Sequence, residues 1–386
     1  MKNVVSLKSL LRPAWEVVYH FAVLMLMPLN FIGIKYYNKK FSPNSVLHIS
    51  YMVHVPYYLT RTLRQYGIKA DYMAIGTSPV WNRSDYQIEF SRWPFVRVIQ
   101  EFIIFWKIMS RYEIIHSHFM VTLTYSAWEW PVLKKMGRKI VIHYRGCEIR
   151  DREKILKTYS DINICQECDY AKPPCRNRII LIKRALAARH GDLFLVTTPD
   201  LKMFAPQAAY IPFFTPEFDN EVYARNQPVG RIKDGFKIIH ATNQPGIEGT
   251  KHIQKAVDNL IQKGHKIELV ILRNVPHEIV LKELASADLS VGKLKMGYYA
   301  NAQIEGMLMG VPTITYIRPE FMTEELVNSG FIFSSLANLE GTIEYYLNHP
   351  NELQNKCAIA RTSILRIHDN QELAKQLSIM YRKVLN

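Results

Sequence analysis

Several sequence patterns are missing from this chain, and each absence argues against a class of function. No Gly-x-Gly-x-x-Gly motif follows a predicted strand and no Walker A loop occurs, which argues against a nicotinamide-dependent oxidoreductase or a P-loop enzyme. Zinc-finger, RNP-type and basic-zipper patterns are also absent, so the basic residues do not indicate a nucleic-acid-binding protein. No small-residue cleavage site follows the N-terminal apolar stretch, which argues against a secretory signal.

Cysteine is scarce as well, yet four of the five cysteines lie close together in the sequence. Cys147 is followed by Cys165, Cys168 and Cys175, the last three in a Cys-x2-Cys-x6-Cys arrangement. Four thiols at this density suffice for a structural zinc site. The spacing matches no common zinc module, however, and free buried cysteines are frequent in cytosolic proteins. The sequence leaves both interpretations open, and we predict no metal among the functional residues.

The positive charge of the chain is concentrated in its first half. Residues 1–200 carry 29 Lys and Arg against 15 Asp and Glu, whereas residues 201–386 carry 20 against 19. The first half is therefore expected to meet an anionic partner. Because no nucleic-acid motif is present, we expect that partner to be a membrane surface.

Residues 1–43 precede the first domain and form a basic and apolar extension. The apolar stretch Phe21–Ile34 is shorter than the roughly 20 residues that a membrane span requires. Cations flank it on both sides, namely Lys2, Lys8, Arg12, Lys35, Lys39 and Lys40. We expect an interfacial anchor on the inner face of the cell membrane, with the protein otherwise cytoplasmic. A helix packed on the protein's own surface gives the same pattern and stays an alternative.

Strand and helix patterns alternate along the rest of the chain, which predicts βαβ units and mostly parallel sheets. In the first half, strands are predicted at 46–50, 70–75, 113–118, 139–144 and 193–197, and helices at 56–65, 95–110, 122–135 and 178–189. In the second half, strands are predicted at 236–241, 266–272, 287–291 and 313–317, and helices at 250–262, 277–285, 339–347, 352–367 and 371–384.

This alternation predicts an α/β protein with two Rossmann-like domains that face each other across a cleft. The first domain is expected over residues 44–218, a polar linker over 219–233 and the second domain over 234–368. The last helix, within 369–386, has the length to cross back onto the first domain. The cleft between the domains is the default ligand site.

The segment from Gly297 to Tyr316 carries the strongest functional signal. It reads as a loop, a short helix with one carboxylate (Glu305), a Gly-Val-Pro stop and a strand. Ligands of a parallel sheet bind at the carboxyl ends of its strands, so the helix that opens at Asn301 is placed to hold a diphosphate. Glu305, about one turn into that helix, is expected to accept hydrogen bonds from a ribose. A solvated glutamate beside a turn is the simpler alternative.

Further motifs follow in a fixed order along the chain. A strand ends in His118, and the next strand leads into His143-Tyr144-Arg145-Gly146-Cys147-Glu148. Leu195–Leu201 forms another strand with a helix start, and His240–Asn243 is followed by Gly249-Thr250-Lys251. Together with the Glu305 segment, these motifs resemble the glycosyltransferases of the GT-B architecture, in particular the GT4-like retaining family. The resemblance covers most of residues 45–386.

The resemblance implies a set of site residues and a nucleotide-sugar donor, UDP- or GDP-linked, with no further cofactor. The catalytic residues are expected to be His118, which would orient the donor sugar, and Glu148. The donor-binding residues are expected to be Asn243, Lys251, Arg273, Lys293, Lys295, Gly297, Tyr298, Asn301 and Glu305. The acceptor side is expected to be formed by His54, Tyr57, His143 and Arg145.

The chain departs from the family in three places. The family's diphosphate-clamping Arg and Lys are replaced within Gln244–Glu248, where a carboxylate next to a diphosphate is repulsive. Gly297 stands where the family has a first glutamate, and the glycine-rich first loop becomes Tyr51–Pro56. We expect nearby cations to replace the clamp, the candidates being Lys251, Arg273, Lys293 and Lys295.

The predicted function is transfer of a sugar, with retention, to a lipid-linked or polysaccharide acceptor at the membrane during cell-surface polysaccharide synthesis. One alternative is a catalytically silent relative that binds a sugar, lipid or enzyme within a polysaccharide-assembly complex, because the clamp residues are altered. A nucleotide-sugar epimerase of the same architecture is a further alternative, although it would not need a membrane anchor.

Overall fold

The computed structural model describes residues 7–216 and 235–386, with side chains from Arg12 onward. The predicted linker at 219–233 lies outside these ranges. The described residues form two parallel α/β domains, which confirms the predicted fold class.

The first domain is built on a seven-stranded sheet. Its strands are β1 Ser42–Tyr51, β2 Lys69–Ile75, β3 Tyr86–Ile88, β4 Tyr112–His118, β5 Lys139–Tyr144, β6 Leu193–Val196 and β7 Ala209–Tyr210. All of them pair in parallel in the order β3-β2-β1-β4-β5-β6-β7. Strand order therefore reverses between β1 and β4, and the crevice at such a switch point is where open α/β sheets bind ligands.

Seven α-helices belong to this part of the described chain, besides three short 3₁₀ helices. They are α1 Leu7–Leu26, α2 Leu29–Tyr37, α3 His54–Gln65, α4 Pro94–Lys107, α5 Glu129–Lys135, α6 Arg152–Thr158 and α7 Arg178–His190. The helix predicted at 122–135 begins only at Glu129, so that prediction was wrong at its start. Ala127 adopts a left-handed φ of 57°, and the Glu129 carboxylate accepts a hydrogen bond from the backbone N–H of Leu123 instead.

The second domain has a five-stranded sheet. Its strands are β8 Phe236–Ala241, β9 Ile267–Leu272, β10 Leu289–Val291, β11 Thr313–Thr315 and β12 Phe331–Phe333. They are parallel in the order β12-β11-β10-β8-β9, so the switch point lies between β8 and β10. The described helices are α8 Pro245–Glu248, α9 Thr250–Gln262, α10 His277–Ala285, α11 Asn301–Leu308, α12 Glu324–Val327, α13 Leu339–Asn348, α14 Pro350–Ile367 and α15 Asn370–Leu385.

The N-terminal helices lie on the first domain by one face only. Tyr19 is fully buried and donates a 2.6 Å hydrogen bond to the buried Glu101 of α4, and the indole N–H of Trp15 donates to the carbonyl of Arg92 at 2.8 Å. Large apolar side chains cover the outer face, namely Val17, Val18, Phe21, Leu24, Met25, Leu29, Phe31 and Ile32. Among the described residues, no helix alone has the length and hydropathy of a membrane span, but α1 and α2 together meet that test with a 54° bend between them.

The C-terminal helix α15 packs on the first domain. Leu373, Ala374 and Leu377 join a core cluster with Val46 of β1 and Leu59 of α3. Helix α15 also makes a polar contact with the first domain. The fully buried Tyr381 donates its O–H to Nδ1 of His116 on β4 at 2.6 Å, so the last helix completes a hydrogen bond in the core of the other domain.

Tyr381→Phe is expected to lower the free energy of unfolding by about 1–3 kcal/mol, because Nδ1 of His116 would stay buried without a donor. Urea denaturation followed by circular dichroism measures the change. Tyr345→Phe, at an exposed tyrosine of α13, is the control and should change stability by less than about 0.5 kcal/mol. Equal effects of the two substitutions would contradict this assignment.

Candidate active site

A cleft of 510 Å³ lies between the two domains at the carboxyl ends of both sheets. The first domain contributes the loop that follows β5, and the second contributes the N-terminus of α11, where Ala300 and Asn301 face the cleft. Its charged lining residues are Arg145, Glu148, Arg150, Lys172, Glu248 and Lys293. Both domains therefore present charge to one enclosed volume.

Arg145 is a buried cation whose guanidinium is held by histidines. It is 8% exposed, and its guanidinium forms no ion pair with a carboxylate in the described part of the chain. Its Nε donates to Nδ1 of His118 at 3.0 Å and an Nη lies 3.4 Å from Nδ1 of His143, while the other Nη has no partner. Burial lowers the pKa of Arg145 to about 9, although the charge of Glu148 acts to raise it. The side chain stays protonated at neutral pH.

Four buried histidines on β1, β4 and β5 form the platform beneath this arginine. Burial and the neighbouring positive charges lower the pKa of each, so the rings are neutral. Because a guanidinium can only donate, Nδ1 of His118 and of His143 must both accept. His118 then donates to Nδ1 of His48 at 3.0 Å, and His116 donates to Nδ1 of His143 at 3.1 Å.

This network fixes the positions of two predicted site residues. His118 is fully buried, does not line the cleft and has both ring nitrogens engaged, so what it does in this structure is hold Arg145. His143 also lies beneath the cleft, where its Nε2 donates to the hydroxyl of Thr197 at 3.0 Å. Both histidines face Arg145 from below.

Glu148 shapes the loop that carries Arg145. Its carboxylate accepts the backbone N–H groups of Arg145 and of Gly146, the latter at 3.0 Å. Burial raises the pKa of Glu148, although these N–H donors oppose that shift. The side chain lines the cleft and closes a tight turn at its edge.

Glu305 lies where the two domains touch. It is 3% exposed, and its Oε1 is 2.8 Å from Nε2 of His277 on α10 and 3.3 Å from Nε2 of His54 on α3. The two imidazole rings stack at 4.4 Å with an interplanar angle of 13°. Burial opposes protonation of His277, but the Glu305 carboxylate outweighs it and raises the pKa of His277. Burial lowers the pKa of His54 to about 4.

The predicted clamp lysines are held by carboxylates. Lys295 is buried and binds Glu167 at 2.7 Å, and Lys251 also forms an ion pair with Glu167. Burial acts to raise the pKa of Glu167, but these two lysines lower it to about 2. Lys293 lies 3.1 Å from Glu248, and of the three lysines it is the one that lines the cleft.

The remaining predicted residues lie in different settings. Asn243 and Arg273 are exposed and do not line the cleft, and Asn243 accepts the backbone N–H of Asn274 at 3.1 Å. Gly297 has a φ of 79°, and a Cβ there would come within 2.5 Å of the Arg318 side chain. No residue with a side chain therefore fits at this position.

Two predicted tyrosines are held by other aromatic residues. Tyr298 stacks on Tyr299 with centroids 4.4 Å apart. Tyr57 packs edge-on against Trp81 at 5.3 Å. Neither ring lines the cleft.

Sequence reasoning missed several residues of the site. His277 gave a usable signal, because it opens a helix directly after the Asn-Val-Pro turn that follows β9. Glu167 and Lys172 gave none, since both lie in the irregular cysteine-containing segment between α6 and α7.

Comparison with known proteins identifies the fold. Protein-family models and curated proteins give no match to the chain. Among solved structures, sucrose-phosphate synthase from Thermosynechococcus elongatus has a TM-score of 0.58 and 14% identity, covering 88% of this chain and 99% of that one. Anabaena Alr3699/HepE in complex with UDP and glucose has a TM-score of 0.59 and 12% identity over 88% and 99%. The catalytic domain of starch synthase IV from Arabidopsis thaliana, bound to ADP and acarbose, has a TM-score of 0.58 and 9% identity. The match covers 89% of this chain and 100% of that one.

These likenesses extend over both domains, and at such identities they establish the fold alone. The predicted GT-B architecture of two facing Rossmann-like domains is confirmed.

Glu305→Gln is expected to cost about 3–5 kcal/mol of stability near pH 5.5, because it leaves one member of a buried pair alone. The stabilisation from the raised pKa of His277 is complete below the unfolded value of 6.5 and is lost as pH rises through the folded value. The lowered pKa of Glu305 adds stability above 4.5 that is lost as pH falls through its folded value. The cost should therefore be smaller at about pH 8.5.

Urea denaturation of wild type and variant at the two pH values measures this difference. The pH dependence of the cost should vanish in a His277→Gln background. A cost that is independent of pH in the wild-type background would refute the ionised pair.

Proposed function

We propose that this protein is a glycosyltransferase of the hexosyltransferase type (EC 2.4). It transfers a sugar, with retention, from a UDP- or GDP-linked donor to a lipid-linked or polysaccharide acceptor at the membrane. The observation that carries the proposal is Arg145, a buried cation whose guanidinium forms no ion pair and which lines the cleft between the two domains of the GT-B fold. A buried, uncompensated charge is costly, and a bound anion removes that cost.

The donor diphosphate fits between Arg145 and the N-terminus of α11. Ala300 and Asn301 line the same cleft, and the dipole of α11 favours negative charge at this end of the helix, although the N–H of Ala300 donates to Oε1 of Gln303 at 2.8 Å. Lys172 adds positive charge to the lining, whereas Lys293 is paired there with Glu248. In this arrangement the diphosphate clamp comes largely from the first domain, which accounts for the loss of the clamp residues within Gln244–Glu248.

The reaction needs stabilisation of the leaving group. The bond between the anomeric carbon and the diphosphate oxygen breaks, and its electron pair goes to the diphosphate. The acceptor hydroxyl attacks from the face that the diphosphate leaves, and its proton passes to the leaving phosphate oxygen. A preorganised guanidinium such as that of Arg145 stabilises the departing charge in the low-dielectric cleft, and this kind of term is usually the largest in catalysis.

Glu305 is the proposed ribose ligand. It accepts a hydrogen bond from His277 at 2.8 Å and is one turn from the start of α11. Ribose binding would require its other carboxylate contacts, including the one to His54 across the domain boundary, to open. Donor binding and the relative position of the two domains are coupled in this proposal.

The structural neighbours favour an enzyme over a catalytically silent binding subunit. They are described as sucrose-phosphate and starch synthases, and as complexes with UDP, UDP-glucose or ADP. We infer the same donor class for this chain, with the base undecided between uridine and guanosine.

The membrane part of the proposal rests on the exposed face of α1, α2 and α4. Helices α1 and α4 pack side by side, and exposed apolar residues of α4 and its N-cap extend the face, namely Trp93, Phe95, Val96 and Ile99. Lys35, Lys39 and Lys40 are exposed at one end of the face and Arg92 at another. An apolar surface bordered by cations is suited to an anionic bilayer. We propose that the protein lies on the inner membrane surface and meets its acceptor there.

Nucleoside diphosphates should raise the melting temperature of the wild-type protein. At a concentration 100 times the Kd, binding adds about 2.7 kcal/mol to the free energy of unfolding. A panel of UDP, GDP, ADP and pyrophosphate tests this by thermal shift. Arg145→Gln should abolish the response and lower kcat for donor hydrolysis by about 10²–10³-fold. Arg111→Gln, at an exposed arginine of the same domain, is the control. It should keep the melting-temperature response and the wild-type kcat.

Glu305→Ala should weaken the binding of nucleoside diphosphates while leaving the response to pyrophosphate in place, since the ribose contact is the one donor contact that it removes. Because the variant also loses the ion pair with His277, each response is measured against the ligand-free variant. Flat melting curves with every nucleotide, or an Arg145→Gln variant that responds like wild type, would overturn the proposed function.

Phe21→Glu combined with Leu24→Glu should reduce partitioning onto anionic vesicles by at least about tenfold, because each apolar side chain contributes about 1.5–3 kcal/mol when buried. The two side chains are 62% and 70% exposed, so folding should be unaffected. Flotation with phosphatidylglycerol-containing vesicles measures the effect. Val327→Glu, at an exposed residue of the second domain, should float like wild type. Unchanged flotation of the double variant would remove this surface as the anchor.

A further inference from the structure

Four cysteines from two parts of the chain meet at a single pocket. Cys147 follows β5, whereas Cys165, Cys168 and Cys175 lie in the segment between α6 and α7. All four line the same 160 Å³ pocket beside the cleft. All four are free thiols. The fifth cysteine, Cys357 of α14, does not line this pocket.

The segment between α6 and α7 has little regular secondary structure. Across residues 159–177 its only regular element is a single 3₁₀ turn at Pro174–Arg176. Its apolar support is a small cluster around Ile155, Ile164 and Ile247. Long irregular segments in compact domains are uncommon, and small folds without a core are usually stapled by disulfides or metals.

The charge around the thiols suits a metal thiolate. Zinc bound by four thiolates carries a net charge of −2. Arg150 donates through Nη1 to Sγ of Cys147 at 3.8 Å, and Arg152 and Arg176 also line the pocket. Cationic groups and N–H···S contacts of this kind stabilise an anionic centre, and outer partners of this kind tune a metal's ligands.

We propose that Cys147, Cys165, Cys168 and Cys175 bind one structural Zn²⁺. The Cys165-x2-Cys168 pair has the spacing typical of structural zinc sites. No three of the four sulfur atoms, all of them in the described part of the chain, lie within 4.8 Å of one another. Binding therefore draws the thiols inward to zinc–sulfur distances of about 2.3 Å, and the irregular segment absorbs that movement.

Two histidine-containing clusters are more compact but less suited to a metal. The nitrogens of His48, His116 and His118 are close, but His118 already accepts from the Arg145 guanidinium, whose positive charge repels a cation. The cluster of His54, His277 and Glu305 offers one carboxylate and two stacked rings and is explained by its ion pair. The cysteine pocket has no such internal explanation.

The proposed zinc has a positioning role. Glu167, between two of the cysteines, binds Lys295 and Lys251 of the second domain, and Asp169 accepts the backbone N–H of Gly246 at 3.0 Å. Lys172, which directly precedes Pro173 and Pro174, lines the cleft. Zinc would fix the segment that joins the domains and forms one wall of the cleft, without taking part in sugar transfer.

Metal analysis of the full-length protein tests the proposal. The protein is purified without chelators or a metal-affinity tag, and zinc is measured by plasma mass spectrometry, with about one zinc per chain expected. Cys168→Ser and Cys165→Ser should each lose the metal, whereas Cys357→Ser should keep it. Because a cysteine variant can fail to fold, cobalt is also titrated into wild-type apoprotein. A visible spectrum of tetrahedral cobalt thiolate is expected, and a chelator should lower the melting temperature of the zinc form.

Three results would overturn the proposal. The first is reduced wild-type protein that binds neither zinc nor cobalt. The second is zinc content in Cys168→Ser equal to that of Cys357→Ser. The third is the loss of two titratable thiols per chain in the absence of metal, which would identify a disulfide in the pocket. None of these measurements requires a substrate, so they are independent of the proposed function.

Discussion

The structure around the cleft depends on how one buried positive charge is held in place. Arg145 sits at the carboxyl end of β5, held by neutral imidazole nitrogens rather than by carboxylates. Neutral acceptors fix the guanidinium in place without cancelling its charge, so the field of the side chain is directed into the cleft. Four histidines on three adjacent strands are needed to build this support, which explains why so many polar residues lie in the interior of a parallel sheet.

Several of the contacts between the domains are ionic, in addition to the apolar packing of α15 on the first domain. Glu305 and His277 of the second domain meet His54 of the first, and Lys251 and Lys295 of the second meet Glu167 of the first. Ionic contacts of this type can be exchanged for contacts to a charged ligand at small net cost, unlike a large apolar interface.

The sequence predicted the architecture well because hydrophobic periodicity and the order of strands and helices are local signals. The expected place of Glu305 followed from the rule that parallel sheets bind ligands at the carboxyl ends of their strands, whereas Arg145 was implied by the family resemblance alone. The partners of these residues could not be predicted. That Lys295 binds Glu167, 128 positions away, or that His118 faces Arg145 instead of the cleft, depends on tertiary packing that no spacing reveals. Short strands such as β3, β7 and β12 were missed because two or three residues carry too little periodicity.

The path of the last helix affects how the molecule is made. Tyr381 donates to His116, which donates to His143, which in turn accepts from Arg145. Residue 381 leaves the ribosome only after the sheet that this helix covers has already emerged. The early half of the nascent chain must therefore wait with part of its interior uncovered, and the arginine gains its full support only once this helix has been made.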